Sequence, residues 1–288
     1  MPRTQTQSPS LTHVQMQALK QTQSRARRGR SRTWVRTLRA AARPLARLVC
    51  FPHSGGSTAS YVHWAAALSP AVELLAVQYP GRGDRFAEEP GSVRMMAASV
   101  AAELAGTSEN ITAAAPLALF GHSLGALVAY ETALALRDAG REPAHLLVSG
   151  SAAPHDVRGG GLHLAEDTEL WETVTGLGGF EAEVAYDAEL RDLLLPTLRA
   201  DLTANETYRP HPAAGLLSCP VRCYFGRRDP LVDGARLAGW GCVTDGPFTL
   251  IPRPGGHFYA DDGTGTAGLV PDVVAALSGG PVPVAQSV

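Results

Sequence analysis

Residues 116–139 are Pro-Leu-Ala-Leu-Phe-Gly-His-Ser-Leu-Gly-Ala-Leu-Val-Ala-Tyr-Glu-Thr-Ala-Leu-Ala-Leu-Arg-Asp-Ala. A short apolar run precedes two glycines, Gly121 and Gly125, and a helical pattern follows from Ser123 until Gly140 stops it. Glycines at these positions remove side chains that would collide where a strand turns sharply into a helix, which leaves the Ser123 hydroxyl exposed. The segment therefore predicts a serine nucleophile, with the helix N-terminus directed at the negative charge that develops during attack.

Short apolar runs alternate with helical patterns on both sides of this segment. In addition to Pro116–Phe120, strands are predicted at Leu48–Phe51, Val72–Val77, Leu146–Ser149, Val221–Phe225 and Phe248–Ile251. Helices are predicted at Ser60–Leu68, from Ser92 to about Ala105, and from Ser123 to Ala139. Strands and helices that alternate at this spacing predict an α/β fold, in which a mostly parallel sheet has helices on both faces.

The alternation stops between Pro154 and His211, where only helical patterns occur, among them Thr168–Thr175 and Glu189–Tyr208. A helical insertion late in an open α/β sheet lies over the carboxyl ends of the strands, where such sheets bind ligands. We therefore expect residues 154–211 to form a lid.

Charge is unevenly distributed along the 288 residues. Residues 1–47 contain eleven Lys and Arg and no acidic residue, which leaves fourteen basic and twenty-seven acidic residues in the remainder. An acidic body argues against nucleic acid or an anionic membrane as the main partner. Residues 1–33 also contain few large apolar side chains, so we expect a disordered basic extension there, a folded domain at 34–280 and a flexible tail at 281–288.

The four cysteines fit neither a disulfide framework nor a zinc site, because no Cys-x-x-Cys pair is matched by a second Cys or His pair. No apolar run approaches the roughly 20 residues that a membrane span needs. The N-terminus also lacks the apolar core of a secretory signal. We expect a soluble, cytoplasmic protein with reduced thiols.

A serine hydroxyl is a weak nucleophile without a base, and the partners of such a turn follow it in the order acid, then histidine. Asp229 and His257 follow the last two predicted strands, so both lie at strand carboxyl ends. Asp233 is an alternative acid, although its position just before a helix suits an N-cap. We expect Ser123 to act as nucleophile, His257 as general base and Asp229 as the group that orients the base.

Attack on a carbonyl also requires two donors for the oxyanion. One donor is expected to be the backbone N–H of Leu124, directly after the nucleophile, and the second an N–H of the loop Pro52–Gly56, for which Ser54 is the candidate. His53 and His122 each lie in a glycine-flanked turn, and we expect both to have structural roles.

With these residues placed, the chain from about Trp34 to Leu277 resembles the stand-alone type II thioesterases that accompany polyketide and non-ribosomal peptide synthetases. The resemblance rests on Phe51-Pro-His-Ser-Gly-Gly56, Val77-Gln-Tyr-Pro-Gly-Arg-Gly-Asp-Arg85, Phe120-Gly-His-Ser-Leu-Gly125, Leu193-Leu-Leu-Pro-Thr-Leu-Arg-Ala-Asp201, Glu206-Thr-Tyr208, Asp229-Pro230 and Gly255-Gly-His-Phe258. Two departures are Ser54, where alanine is common, and residues 1–33, which have no family counterpart.

The resemblance implies an α/β-hydrolase fold and places the family's triad on Ser123, Asp229 and His257. It implies that the substrate is an acyl thioester on the phosphopantetheine arm of an acyl or peptidyl carrier protein, and that the enzyme removes stalled or misprimed acyl groups. No metal or other cofactor is implied, and a monomer is expected.

Two other function classes remain open at this point. A carboxylesterase or lipase would share the triad but hydrolyse oxygen esters. A non-catalytic module that docks a carrier protein would share the fold, although an intact triad argues against it. A nucleic-acid-binding role for the Arg-rich stretch at residues 25–32 would be a third possibility, which the acidic body disfavours.

Overall fold

The computed structural model describes residues 33–106, 115–179, 182–260 and 263–277. Seven strands lie within these ranges and form one sheet: β1 Val35–Arg39, β2 Ala46–Phe51, β3 Val72–Val77, β4 Leu117–His122, β5 His145–Ser149, β6 Val221–Gly226 and β7 Phe248–Arg253. Their order is β1-β3-β2-β4-β5-β6-β7. All neighbouring pairs are parallel except β1 and β3, so the predicted mostly parallel sheet is confirmed.

Helices connect the strands. The α-helices in the described ranges are α1 Trp64–Ala67, α2 Val93–Gly106, α3 Leu124–Asp138, α4 Asp167–Gly176, α5 Ala182–Ala185, α6 Ala188–Glu206, α7 Gly234–Leu237 and α8 Gly263–Leu277. Short 3₁₀ helices lie at Thr58–Tyr61, Gly83–Arg85, Pro154–Asp156, Leu162–Leu164 and Ala238–Val243. The order of elements follows the alternation that the sequence predicts up to β5.

Alternate residues of each central strand enter two separate apolar cores. In β2, Val49 and Phe51 belong to the core under α2 and α3, whereas Leu48 and Cys50 belong to the core under α1 and α8. All four side chains are fully buried. A sheet buried on both faces requires near-continuous apolar strands, which explains the unbroken runs in the sequence. The prediction of helices on both faces is therefore confirmed.

Two elements differ from the sequence-based expectation. Strand β1 was not predicted, because its arginines make it look like a continuation of the basic N-terminus; it pairs with β3 at the sheet edge. The continuous helix predicted at Ser60–Leu68 is wrong. A 3₁₀ turn and the single turn of α1 occur there, and the Tyr61 hydroxyl donates to the Phe51 carbonyl oxygen at 2.8 Å, which ties this irregular segment to the end of β2.

The predicted insertion, residues 154–211, is helical and packs in two ways. Its first part has an apolar cluster of its own, made by α4 and the middle of α6, whose buried members are Leu170, Trp171, Val174, Leu195 and Leu198. The end of α6 belongs to the main core instead, through Ala204 and Tyr208. The Tyr208 hydroxyl donates to Glu131 of α3 at 2.8 Å. The insertion is thus anchored to the main core through its last part, and Val157 near its start also packs against that core.

The predicted extension at residues 1–33 lies outside the described residues apart from Thr33, as does the predicted tail at 281–288. Among the described helices, none combines the length and hydropathy needed to cross a membrane. All four cysteines lie in the described ranges, and each is a free thiol. Burial raises the pKa of the Cys50 and Cys223 thiols, which makes them poor nucleophiles.

The sheet order reverses at β2, which lies between β3 and β4. Loops that leave β2 and β4 at their carboxyl ends must therefore diverge, and the crevice between them is where open α/β sheets bind ligands. Phe51, the last residue of β2, lies opposite Gly121 of β4. The loop at residues 52–57 and the turn at Ser123 therefore flank the same crevice.

Candidate active site

Ser123 has a strained backbone between β4 and α3. Its φ of 54° and ψ of −122° make it the one non-glycine residue with positive φ in the ranges that the structure describes. Its N–H donates to the Ser149 carbonyl oxygen at 2.8 Å, which ties the turn to the end of β5. Strain of this kind costs about 1–3 kcal/mol and concentrates at functional sites. The predicted nucleophile therefore lies in the sharp strand-to-helix turn that the sequence predicts.

The two glycines of the turn are required by close backbone approach. A Cβ at Gly121 would overlap the Gly125 carbonyl, and a Cβ at Gly125 would overlap the Phe51 carbonyl oxygen at the end of β2. In both cases the obstacle is backbone, which cannot rotate away as a side chain can. The turn can therefore press against β2 only if these positions lack side chains.

This packing predicts the effect of Gly125→Ala. We expect a loss of about 2–3 kcal/mol in the free energy of unfolding, measured by urea denaturation, because the added methyl group forces the backbone of β2 and α3 apart. The matched control is Gly268→Ala in α8, where nothing lies within 4 Å of the new Cβ. That change should stabilise the protein by up to about 1 kcal/mol through helix propensity. Equal effects of the two substitutions would contradict the steric explanation.

Asp229 and His257 form a buried pair. Nδ1 of His257 lies 2.8 Å from Oδ2 of Asp229, and the exposed side-chain fractions are 3% and 0%. The other carboxylate oxygen, Oδ1, accepts the Leu231 N–H at 2.9 Å. A carboxylate can only accept, so the proton lies on Nδ1 and Nε2 of His257 is left able to accept a proton.

The loops that carry these two residues are packed against each other. A Cβ at Gly226, the last residue of β6, would overlap the Gly256 carbonyl oxygen. The Arg228 N–H donates to the Gly255 carbonyl oxygen at 2.9 Å, and Gly255 has a φ of +111° that only glycine adopts readily. The glycines before His257 thus permit a close approach that brings the imidazole to Asp229.

The alternative acid, Asp233, lies elsewhere. Asp233 is exposed and directly precedes α7, and its backbone carbonyl oxygen accepts the Leu237 N–H at 3.0 Å. It therefore begins a helix, as its position in the sequence suggests. Geometry favours Asp229 as the partner of His257.

His122 connects this pair with the serine turn. Its ring centroid lies 4.8 Å from that of His257, and it directly precedes Ser123. Nδ1 of His122 is hydrogen bonded to the Ser149 hydroxyl at 2.9 Å, and that hydroxyl to Tyr259 at 2.6 Å. The structure therefore brings His257 beside the turn that carries Ser123, through its contact with the ring of His122. Sequence reasoning did not identify the buried chain of polar side chains formed by His122, Ser149 and Tyr259.

His53 and His122 are both uncharged near neutral pH. Desolvation lowers the pKa of His53 to about 3, with smaller contributions from His257 and Arg82. Burial, followed by the influence of His257 and His53, lowers the pKa of His122 well below its usual value. Of the three neighbouring histidines, His53, His122 and His257, only His257 is paired with a carboxylate among the described residues.

The expected oxyanion donors lie on either side of the crevice. Leu124 is the first residue of α3, so its N–H has no partner within the helix. Ser54 belongs to the tight turn 53–56, which the Gly56 N–H closes on the His53 carbonyl oxygen at 2.9 Å. Within the described part of the chain, no hydrogen bond engages the N–H of Leu124 or of Ser54. Both remain available to a ligand.

The turn at Ser54 has a neighbour that sequence reasoning gave no role. Asp201 of α6 accepts the Gly55 N–H at 2.8 Å and also pairs with Arg82, which follows β3. Both residues occur in segments that carry the family resemblance, but spacing alone does not reveal that they meet. No group of three His, Cys, Asp or Glu side chains in the described ranges is arranged to hold a metal ion.

Comparisons with known proteins agree with this geometry. A family model described as the thioesterase domain matches residues 46–273. The thioesterase PikA5 of Streptomyces venezuelae is 42% identical over 231 residues, which cover 80% of this chain and 80% of PikA5. The solved structure of the type II thioesterase BorB, from the borrelidin biosynthetic cluster, is 38% identical with a TM-score of 0.76 and covers 87% of this chain and 100% of BorB.

RedJ, a thioesterase from the prodiginine biosynthetic pathway in Streptomyces coelicolor, is 37% identical with a TM-score of 0.75; the match covers 82% of this chain and 94% of RedJ. The residues that the family model matches, 46–273, include strands β2 to β7, the serine turn and the loops of Asp229 and His257. By sequence and by fold, the chain belongs to the thioesterase family and is a type II thioesterase of the α/β-hydrolase superfamily.

Proposed function

We propose that this thioesterase removes acyl groups from the phosphopantetheine arm of acyl or peptidyl carrier proteins, with Ser123, His257 and Asp229 as its catalytic triad. The observation that carries the proposal is the buried Asp229–His257 hydrogen bond beside the strained serine turn. Similar proteins support the substrate class, since BorB and RedJ are named for biosynthetic pathways of natural products. The enzyme would thereby free a synthase from stalled or misprimed acyl groups.

In the first half of the reaction, Nε2 of His257 takes the Ser123 proton as the hydroxyl oxygen attacks the thioester carbonyl. The carbonyl oxygen becomes an oxyanion between the N–H groups of Leu124 and Ser54, near the N-terminus of α3. Collapse of this intermediate breaks the carbon–sulfur bond, and His257 gives its proton to the departing thiolate. Asp229 holds the imidazole in the required tautomer.

In the second half, water attacks the acyl-enzyme and His257 takes a proton from it. A second oxyanion forms between the same donors, and its collapse returns the proton to Ser123 and releases a free acid. Each proton therefore passes through Nε2 of a single histidine. Besides water, the proposed steps use only groups of the chain's own residues.

We further propose that residues 154–211 act as a lid over the crevice. The apolar cluster of α4 and α6 is buried within the insertion and stabilises it as a unit, and each methylene of an acyl chain that the lid covers would add about 0.8 kcal/mol to binding. A Cβ at Gly179 would lie 2.6 Å from the Phe258 ring, so the insertion reaches the residue after His257. A lid in this position would limit the access of water to the acyl-enzyme.

A monomeric, cytoplasmic enzyme is part of the proposal. Every proposed catalytic group comes from one chain, and the free cysteines suit a reducing compartment. Size-exclusion chromatography with light scattering would test the oligomeric state.

The function is tested by mass spectrometry of intact acyl carrier protein that carries a butanoyl group on its phosphopantetheine. Incubation with the enzyme should return the carrier to its free-thiol mass, and Ser123→Ala should leave the acyl group in place. A carboxylesterase would instead hydrolyse p-nitrophenyl butanoate efficiently and leave the acylated carrier intact. A docking module would bind the carrier without changing its mass, so the three functions give different results.

A further inference from the structure

A buried ion pair joins the lid helix to the body beside the proposed oxyanion site. Asp201, in the second half of α6, is completely buried, and Arg82, in the turn after β3, is 7% exposed. Oδ2 of Asp201 accepts from Nη2 of Arg82 and from the Gly55 N–H, the latter at 2.8 Å. One carboxylate oxygen therefore links three segments that are far apart in sequence.

Burial of a carboxylate is costly unless its charge is balanced. Burial raises the pKa of Asp201, while Arg82 and the Gly55 N–H lower it. Within the described residues, Oδ1 of Asp201 has no hydrogen-bond partner. The contacts with Arg82 and the Gly55 N–H therefore offset the cost of burying the carboxylate. Apolar residues of similar size often stabilise a buried position as well as an ion pair does, which points to a role for this carboxylate beyond stability.

Arg82 is itself held rigidly. Its Nη1 donates to the Pro80 carbonyl oxygen at 2.5 Å, and its carbonyl oxygen accepts from Nε2 of Gln78 at 3.1 Å. Oε1 of Gln78 accepts the Thr58 N–H at 3.4 Å, so the turn after β3 also contacts the loop after β2. Asp201 is thus held by Arg82, which lies in a turn that is itself hydrogen bonded, through Gln78, to the segment after β2.

The Gly55 N–H belongs to the peptide unit directly after Ser54. Rotation about the Ser54 backbone would move this N–H away from Asp201, so the hydrogen bond restricts the direction in which the Ser54 N–H points. The hydrogen bond from Gly56 to His53 closes the same turn from its other side. Oxyanion donors stabilise a transition state only when they are oriented in advance.

We propose that Asp201 is a positioning residue, whose carboxylate, balanced by Arg82, holds the turn 53–56 with the Ser54 N–H directed at the oxyanion. This inference rests on the proposed function of Ser54 as an oxyanion donor. It makes the lid helix part of the catalytic apparatus, because the lid supplies the anchor for a loop of the body. Asp201 touches neither substrate nor reacting atoms.

The test compares Asp201→Asn with Thr197→Val. An asparagine carries no negative charge, so its hydrogen bonds to Arg82 and to the Gly55 N–H are weaker than those of the carboxylate. The turn 53–56 therefore loses its anchor. Thr197 makes a separate link from α6 to the same region, since its hydroxyl donates to the Gly81 carbonyl oxygen at 2.9 Å without contacting the turn 53–56. Both substitutions weaken the attachment of α6 to the body, but only Asp201→Asn removes a contact with the turn 53–56.

Three quantities are measured for each variant: kcat and KM for a butanoyl thioester of N-acetylcysteamine, and the inhibition constant of a matched alkyl trifluoromethyl ketone. The ketone forms a tetrahedral oxyanion adduct with the serine of any serine hydrolase, so its affinity reports the oxyanion site even if the natural substrate were an oxygen ester. Asp201→Asn should lower kcat and weaken the ketone in parallel, by about 10- to 100-fold, which is below the loss of a whole donor. KM should change little, and Thr197→Val should stay near wild type in both.

A second variant guards against a failure to fold. Asp201→Leu with Arg82→Met removes both charges together, and such apolar replacements of buried ion pairs are often neutral for stability. This double variant should unfold at the wild-type urea concentration and yet bind the ketone as poorly as Asp201→Asn does. If either variant folds and binds the ketone with wild-type affinity, Asp201 has no positioning role.

Discussion

Replacement of Ser123 by alanine is expected to lower kcat for thioester hydrolysis by about 10⁴- to 10⁶-fold, and His257→Ala should fall in the same range. The two residues act as one unit, because the hydroxyl attacks only as the imidazole takes its proton. The effects should therefore not add, and the double variant should be no slower than the worse single variant. Stopped-flow and long-incubation assays with a butanoyl thioester cover the required range of rates.

Unfolding provides the control for these variants. Ser123→Ala keeps a Cβ in the strained conformation, so its midpoint in urea should match that of the wild type. Ser123→Gly removes that Cβ from a residue with a φ of 54° and should gain about 1 kcal/mol or more in stability while losing activity equally. Residual turnover above one-hundredth of the wild-type rate in either variant would show that another residue is the nucleophile.

The second large effect is expected for Asp229→Asn, with a loss of about 10⁴-fold in kcat. An asparagine that presents its N–H₂ group to Nδ1 favours the tautomer with the proton on Nε2, which cannot then accept from Ser123. The loss should exceed any change in KM, because the acid does not contact the substrate. The pH dependence of kcat, measured alongside, separates a change of tautomer from a loss of fold.

Asp233→Asn is the matched control, since it changes the same residue type four positions away. Asp233 is exposed at the start of α7, whereas Asp229 is buried against His257, so kcat should remain within about threefold of the wild type. A reversal, with Asp229→Asn active and Asp233→Asn inactive, would transfer the role of the acid to Asp233.

The central strands and the positions of the three proposed catalytic residues could be predicted from the sequence because their signals are local. Apolar runs of four to six residues indicate strands buried on both faces, and the paired glycines around Ser123 indicate a turn that excludes side chains. Asp229 and His257 could be proposed because each lies in the loop that follows a strand. The hydrogen bond between them follows from the sheet, since β6 and β7 are parallel neighbours whose carboxyl ends coincide.

Features that depend on distant contacts could not be predicted in this way. Strand β1 is basic and has an edge position, so its pairing with β3 leaves no apolar signature. The helix α8 begins with glycines and threonines and contains Pro271, which hides its helical pattern. Asp201 and Arg82 were recognisable as family residues, yet nothing in their local sequence indicates that they share a buried contact with Gly55.

The link between Gly55 and Asp201 also limits when the turn 53–56 can be fixed during synthesis of the enzyme. These residues are 146 positions apart, so Gly55 leaves the ribosome long before its anchor does. Contacts between residues so far apart in sequence form late, because a long loop must close, at a cost in conformational entropy, before the contacts can stabilise the fold. A nascent chain that has paired β2 with β3 therefore lacks both the lid anchor and His257. Esterase activity during translation would thus appear only once the last strands have emerged, and its onset would mark the completion of folding.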